Sequence, residues 1–111
     1  MKMTYAKNDL FEDELQEISS FFKVLSHPAR IKILKYLAEK KQCISGDITD
    51  FIPLGRTTVS RHLQELKTAG LIKGKISGKN VNYCLCDTTI KRFSHLVDEL
   101  LTTINIGEIK C

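Results

Sequence analysis

No run in the 111 residues approaches the roughly 18 consecutive apolar residues that a membrane-spanning helix needs. A secretory leader is not expected either. Residues 1–20 set two lysines against Asp9, Glu12, Asp13, Glu14 and Glu17 and hold no apolar core segment. Internal repeats, low-complexity tracts and long linkers are missing, so one domain over residues 1–111 is expected. Also missing are a nucleophile–base pairing, a phosphate-cradling glycine loop, a Cys-x-x-Cys helix start and a complete metal-ligand spacing. An enzyme is therefore the poorest reading. Together these absences predict a cytoplasmic protein whose four cysteines are reduced thiols rather than a disulfide framework.

What is present is unevenly placed charge. The chain carries a formal net charge of +4. Between Gly55 and Asn80, however, Arg56, Arg61, Lys67, Lys73, Lys75 and Lys79 stand against Glu65 alone. A basic block in the middle of an otherwise nearly neutral chain points to one surface that meets a polyanion.

Within that block, residues 55–68 have the pattern of an amphipathic helix. At 100° per residue, Val59, Leu63 and Leu66 form a narrow apolar stripe. Thr57, Ser60, Arg61 and Gln64 fall on the other side, and hydroxyls, an amide and a guanidinium are the groups that hydrogen-bond bases and phosphates. Arg56 at the helix start is placed to hold phosphate, and Gly70 to act as a left-handed cap. His62 lies at the edge of the apolar stripe, where it can meet phosphate or a neighbouring helix.

The flanking segments complete a winged helix-turn-helix. A short helix near Ser45–Phe51, ended by Pro53, precedes the recognition helix, so residues 45–69 form the helix-turn-helix. Two strands within residues 71–86, joined at Ser77-Gly78-Lys79-Asn80, form a basic hairpin wing. Lys73 and Lys75 reach phosphates from it, and its tip, Lys79 and Asn80, reaches the minor groove or a phosphate. Upstream, Pro28 opens a helix over about residues 28–40 that buries Ile31, Leu34, Leu37 and Ala38, with Ile33 and Tyr36 flanking; His27 is its cap. The expected order is α-α-α-α-β-β-α, mainly helical with a two-stranded wing.

The two end helices carry regular apolar seams. Residues 12–25 continue a seam of Phe11, Leu15, Ile18 and Phe22, and residues 87–105 present Ile90, Phe93, Val97, Leu100 and Ile104. A small core cannot absorb both, so the seams are expected to pair across a two-fold axis in a homodimer. The plainer alternative is that they simply pack on the core.

At this point the chain resembles a known family. Phe22-Lys23-Val24-Leu25-Ser26-His27-Pro28-Ala29-Arg30-Ile31-Lys32-Ile33-Leu34 resembles the opening signature of the ArsR/SmtB winged-helix repressors. Thr58-Val59-Ser60-Arg61-His62-Leu63 through Ala69-Gly70-Leu71-Ile72 resembles that family's recognition helix and exit, and Val81-Asn82-Tyr83 its second wing strand. The resemblance implies a dimeric repressor on a palindromic double-stranded operator, released by a metal, metalloid or redox signal. It places Thr57, Thr58, Ser60, Arg61 and His62 on or beside the DNA surface.

The sensing chemistry matches no family pattern in full. Gln42-Cys43-Ile44-Ser45-Gly46-Asp47 keeps one thiol where the arsenite type has Cys-Val-Cys-Asp. Asp87-Thr88-Thr89 lacks the histidine of the zinc type. Cys84 and Cys86, two apart on a strand, are expected to face one side and, with Cys43, are the candidate ligands for a soft metal or metalloid ion. The rival reading is a winged-helix module for protein contact whose basic wing meets an acidic partner, without sequence-specific DNA binding.

Overall fold

Helix α1, Asp13–Val24, opens with Asp13 and Glu14 and closes with Lys23, each complementing the helix dipole at its end. The computed structural model describes residues 10–40, 43–45, 48, 51–77 and 80–107. Ser26 and His27 break the chain before α2, Pro28–Lys40. His27 caps α2 as the sequence predicts: its Nδ1 accepts the Ala29 N–H at 3.0 Å, and its carbonyl accepts the Arg30 N–H. Pro28 fits the first turn because its missing N–H would have no partner there.

After α2 come the two-residue β1, Ile44–Ser45, and α3, Arg56–Thr68. Strands β2, Ile72–Ser77, and β3, Asn80–Leu85, then lead to α4, Asp87–Ile104. The antiparallel sheet has the order β1-β3-β2, with Ile72 opposite Leu85 and Ser77 opposite Asn80. Among the described residues no helix is long and apolar enough to cross a membrane.

The core lies where α2, α3 and the sheet meet. Ile33, Leu37, Val59, Leu66, Leu71 and Ile72 are fully buried there, joined by Phe21 from α1 and Leu96 from α4. Phe93 of α4 stacks on both Phe21 and Phe22, with ring centroids at 5.1 and 5.9 Å. Arg92 grips Glu17 through two hydrogen bonds of 2.8 and 2.9 Å, an exposed link between α4 and α1 that contributes little in salt.

Three expectations need correction. The expected helix at Ser45–Phe51 is corrected at its start, where Ser45 belongs to β1; Ile48 lies in a 3-10 turn, and its carbonyl accepts the Phe51 N–H. Gly46, Asp47, Thr49 and Asp50 lie outside the described residues. The free edge of β3 accounts for Ser45, because Ile44 and Ser45 pair with it opposite Tyr83 and Asn82. The wing hairpin therefore has a third strand.

The inward face of α2 is Ala29, Ile33 and Leu37, with Leu34 half-buried, while Ile31 and Ala38 are exposed. Apolar residues at 31, 33, 34, 36 and 37 leave the roll of this helix undetermined by periodicity.

The seams divide. Ile18, Ile90 and Phe93 pack against the core of their own chain, and Val97 is half-buried. Phe11, Leu15, Phe22, Leu100 and Ile104 remain exposed, together with Leu101.

Candidate nucleic-acid interface

Helix α3 starts at Gly55, which is extended and whose carbonyl accepts the Val59 N–H at 3.0 Å. No acidic residue sits in its first turn, so the positive end of the helix dipole is not neutralised. Val59, His62, Leu63 and Leu66 face inward. Arg56, Thr57, Thr58, Ser60, Arg61 and Gln64 are all exposed; Thr57, Ser60, Arg61 and Gln64 share the outward arc, with Arg56 and Thr58 at its two edges. Gln64 donates to the Thr68 hydroxyl at 3.3 Å, so part of its amide is engaged along the helix.

The exit from α3 sets the wing. Gly70 takes φ 82°, and the Leu71 N–H returns to the Leu66 carbonyl at 3.1 Å. Lys73 and Lys75 are exposed and, two apart on β2, share a face. Gly74 points the other way, where an added Cβ would meet Val81 at 3.2 Å. Lys67, not among the predicted contacts, brings its ammonium to 3.6 Å from that same point and adds charge beside the wing. Lys79 lies outside the described residues; Asn80 opens β3.

His62 departs from its expected place on the DNA surface. It is 6% exposed, with its ring centroid 4.3 Å from that of His27. Its Nδ1 accepts the Arg30 Nε–H at 3.0 Å, which leaves the ring neutral with its proton on Nε2. Burial, then the neighbouring His27, Arg30 and Arg61, pushes its pKa below 6.5. The unfolded chain therefore binds more protons near and below pH 6.5. The stability from a neutral His62 is complete above that pH and falls as the solution is acidified through it. The thermal midpoint should drop more between pH 7.5 and 5 in the wild type than in His62→Asn; parallel pH profiles would refute this.

The cysteines also depart from expectation. Cys43 and Cys84 form a disulfide, with their Cα atoms 4.4 Å apart, rather than standing as free thiols. Extending the β1–β3 register by one residue places Cys43 directly opposite Cys84, at the spacing of a close cross-strand pair. Cys86 stands outside that bond: it is the N-cap residue of α4, its backbone still extended and its N–H donated to the Leu71 carbonyl at 2.9 Å. Its sulfur accepts from the Thr89 hydroxyl at 3.5 Å, and that hydrogen bond leads in lowering its pKa. The candidate donors do not fit a soft-metal site in this state, since Cys43 and Cys84 are bonded to each other. No group of three His, Cys, Asp or Glu comes together among the described residues. On α4, Asp87 pairs with Lys91 and His95 approaches Glu99. Cys111 lies outside the described residues.

Residues 25–75 match the model of a helix-turn-helix domain family. The chain is 34% identical over 88 residues to an uncharacterised HTH-type transcriptional regulator of Methanocaldococcus jannaschii, covering 79% of this chain and 99% of that one. It is 33% identical over 91 residues to a cadmium resistance transcriptional regulatory protein CadC homolog of Staphylococcus aureus, covering 82% and 75%. Its fold is similar to a homodimeric winged helix-turn-helix DNA-binding domain of Mycobacterium bovis, a possible ArsR-family regulator. That match has a TM-score of 0.62 at 21% identity and covers 87% of this chain and 88% of that one. With the outward-facing α3, the wing and these relatives taken together, the chain belongs to the ArsR/SmtB family of winged helix-turn-helix transcriptional regulators.

Proposed function

We propose that the protein is a cytoplasmic, homodimeric, non-enzymatic repressor that reads a palindromic operator through α3. The observation that carries this is the division of α3 into a buried face and an exposed face of guanidinium, hydroxyl and amide groups. Each of the two single-domain copies contributes one α3, and the pair enters two major-groove segments about 34 Å apart on the duplex. Phosphates are met by Arg56, Lys73, Lys75, Lys79 and Asn80, and base edges by Thr57, Thr58, Ser60, Arg61 and Gln64. His62 acts from behind this face.

The homodimeric fold relative and the exposed apolar residues of α1 and α4 support pairing through those helices. Cadmium resistance in a relative's name raises a soft metal as the signal, but the donors as bonded here do not supply such a site. A thiol–disulfide signal accords better with the Cys43–Cys84 bond, since a disulfide in a reducing compartment is one that responds to oxidant. Its formation removes two protons and two electrons from the thiol pair; hydrogen peroxide accepts them to give two waters, and an organic hydroperoxide to give an alcohol and one water.

Arg61→Ala should weaken binding to a duplex selected by the wild-type protein from a random pool by about 1–3 kcal/mol. The dimer should stay intact and binding to a shuffled duplex should change far less. Unchanged affinity in a gel-shift titration would remove α3 from the groove. Binding that weakens with salt yet shows no preference between the two duplexes would instead favour the protein-contact reading.

A further inference from the structure

Helix α3 has one buried polar side chain, His62, that direct DNA contact does not use. Arg30 joins it to the rest of the fold. The guanidinium donates its Nε–H to His62 Nδ1 and an Nη1 hydrogen to the carbonyl of Val24, the last residue of α1, each at 3.0 Å. His27 lies against the His62 ring while its own Nδ1 caps α2. One guanidinium in the first turn of α2 thus touches the end of α1 and the middle of α3.

The Arg30 bond adds a directional constraint to the packed apolar face of α3. Contacts of Val59, Leu63 and Leu66 are non-directional, whereas a hydrogen bond to a ring nitrogen weakens steeply when misaligned. Ser60 and Arg61 immediately precede His62 on the helix, so any roll that breaks the Arg30 bond also swings those two side chains. His27 and Arg30 are the titratable and charged groups in contact with the ring. Burial first, then the charges of His27, Arg30 and the outward-facing Arg61, lower its pKa and so favour the neutral ring whose Nδ1 can accept.

We infer that His62 is a positioning residue for DNA recognition: through Arg30 it locks the rotation of α3 to the α1–α2 junction and so fixes where Ser60 and Arg61 meet the duplex. The inference rests on the reading that α3 enters the groove.

The test compares full-length variants on two probes, the duplex selected by the wild-type protein from random 30-base-pair DNA and a shuffled duplex of the same composition. The readout is the ratio of the two affinities. A loss of folded protein lowers both affinities alike and cancels, so a merely structural role leaves the ratio unmoved. His62→Asn keeps an acceptor near the Nδ1 position and should retain the ratio. His62→Leu and Arg30→Met should each lower it on the order of tenfold, and the double variant should lower it no further. A wild-type ratio in His62→Leu overturns the inference, as does an equal loss in His62→Asn, which would make the imidazole shape rather than its hydrogen bond the cause. If His62→Leu does not fold, Arg30→Met decides, and an unchanged ratio there overturns the inference. Arg61→Ala run in parallel separates the two levels. No effect from that variant refutes α3 as the reading helix, whereas an effect from it beside an inert His62→Leu refutes only the positioning role.

Discussion

Reduction of the Cys43–Cys84 disulfide should lower the stability of the protein by up to roughly 4 kcal/mol. The bond spans a sequence separation of 41, and closing a loop of that length removes substantial entropy from the unfolded chain. For a domain of this size, each kcal/mol moves the thermal midpoint by roughly 4–8 °C. Cys43→Ser should show the lower midpoint with or without a thiol reductant. Cys86→Ser should still respond to the reductant, because its thiol lies outside the bond. Superimposable melting curves for reduced and oxidised wild type would refute the claim. The same two states test the proposed signal. The bond ties the segment leading toward α3 to wing strand β3, so operator affinity should differ between the states by about 1–3 kcal/mol. Equal affinities would exclude this disulfide as the switch.

A charge placed on the exposed seam should have the larger effect on DNA binding. Leu15 of α1 and Leu100 of α4 line one shallow groove with Ile18, Leu96 and Thr103, and Leu101 and Ile104 continue the exposed apolar surface. An unpaired carboxylate there cannot be buried without a large desolvation cost. Leu101→Glu should therefore convert the proposed dimer to a folded monomer in sedimentation while leaving the core intact, since Leu101 is exposed within its own chain. Losing simultaneous engagement of two half-sites should weaken operator binding by about a hundredfold or more. A dimer of unchanged stability would move the interface elsewhere.

How much of this was legible in the chain varies with the physics behind each signal. The limits of α3 and its cap were readable because glycine at φ 82° and a narrow apolar stripe each have few structural explanations. The Pro28 start of α2 was readable for the same reason. The roll of α2 was not, since five closely spaced apolar residues satisfy several faces and only packing into the common core selects Ile33 and Leu37. Phe21 and Leu96 were missed as core residues because both lie beside a better-spaced seam, which the structure leaves largely exposed. Strand β1 was missed because two residues carry no detectable alternation; its partner, not its own propensity, makes it a strand.

Local spacing and backbone chemistry encode a basic winged helix-turn-helix, the outward face of α3 and the two amphipathic end helices. The remaining features arise only when the elements pack. Packing sets Cys43 opposite Cys84 across a strand pair, and it draws His62 from the edge of the apolar stripe to the Arg30 guanidinium. Each partnership joins residues more than thirty positions apart, and no periodicity along the chain records a contact made only when helices and strands pack.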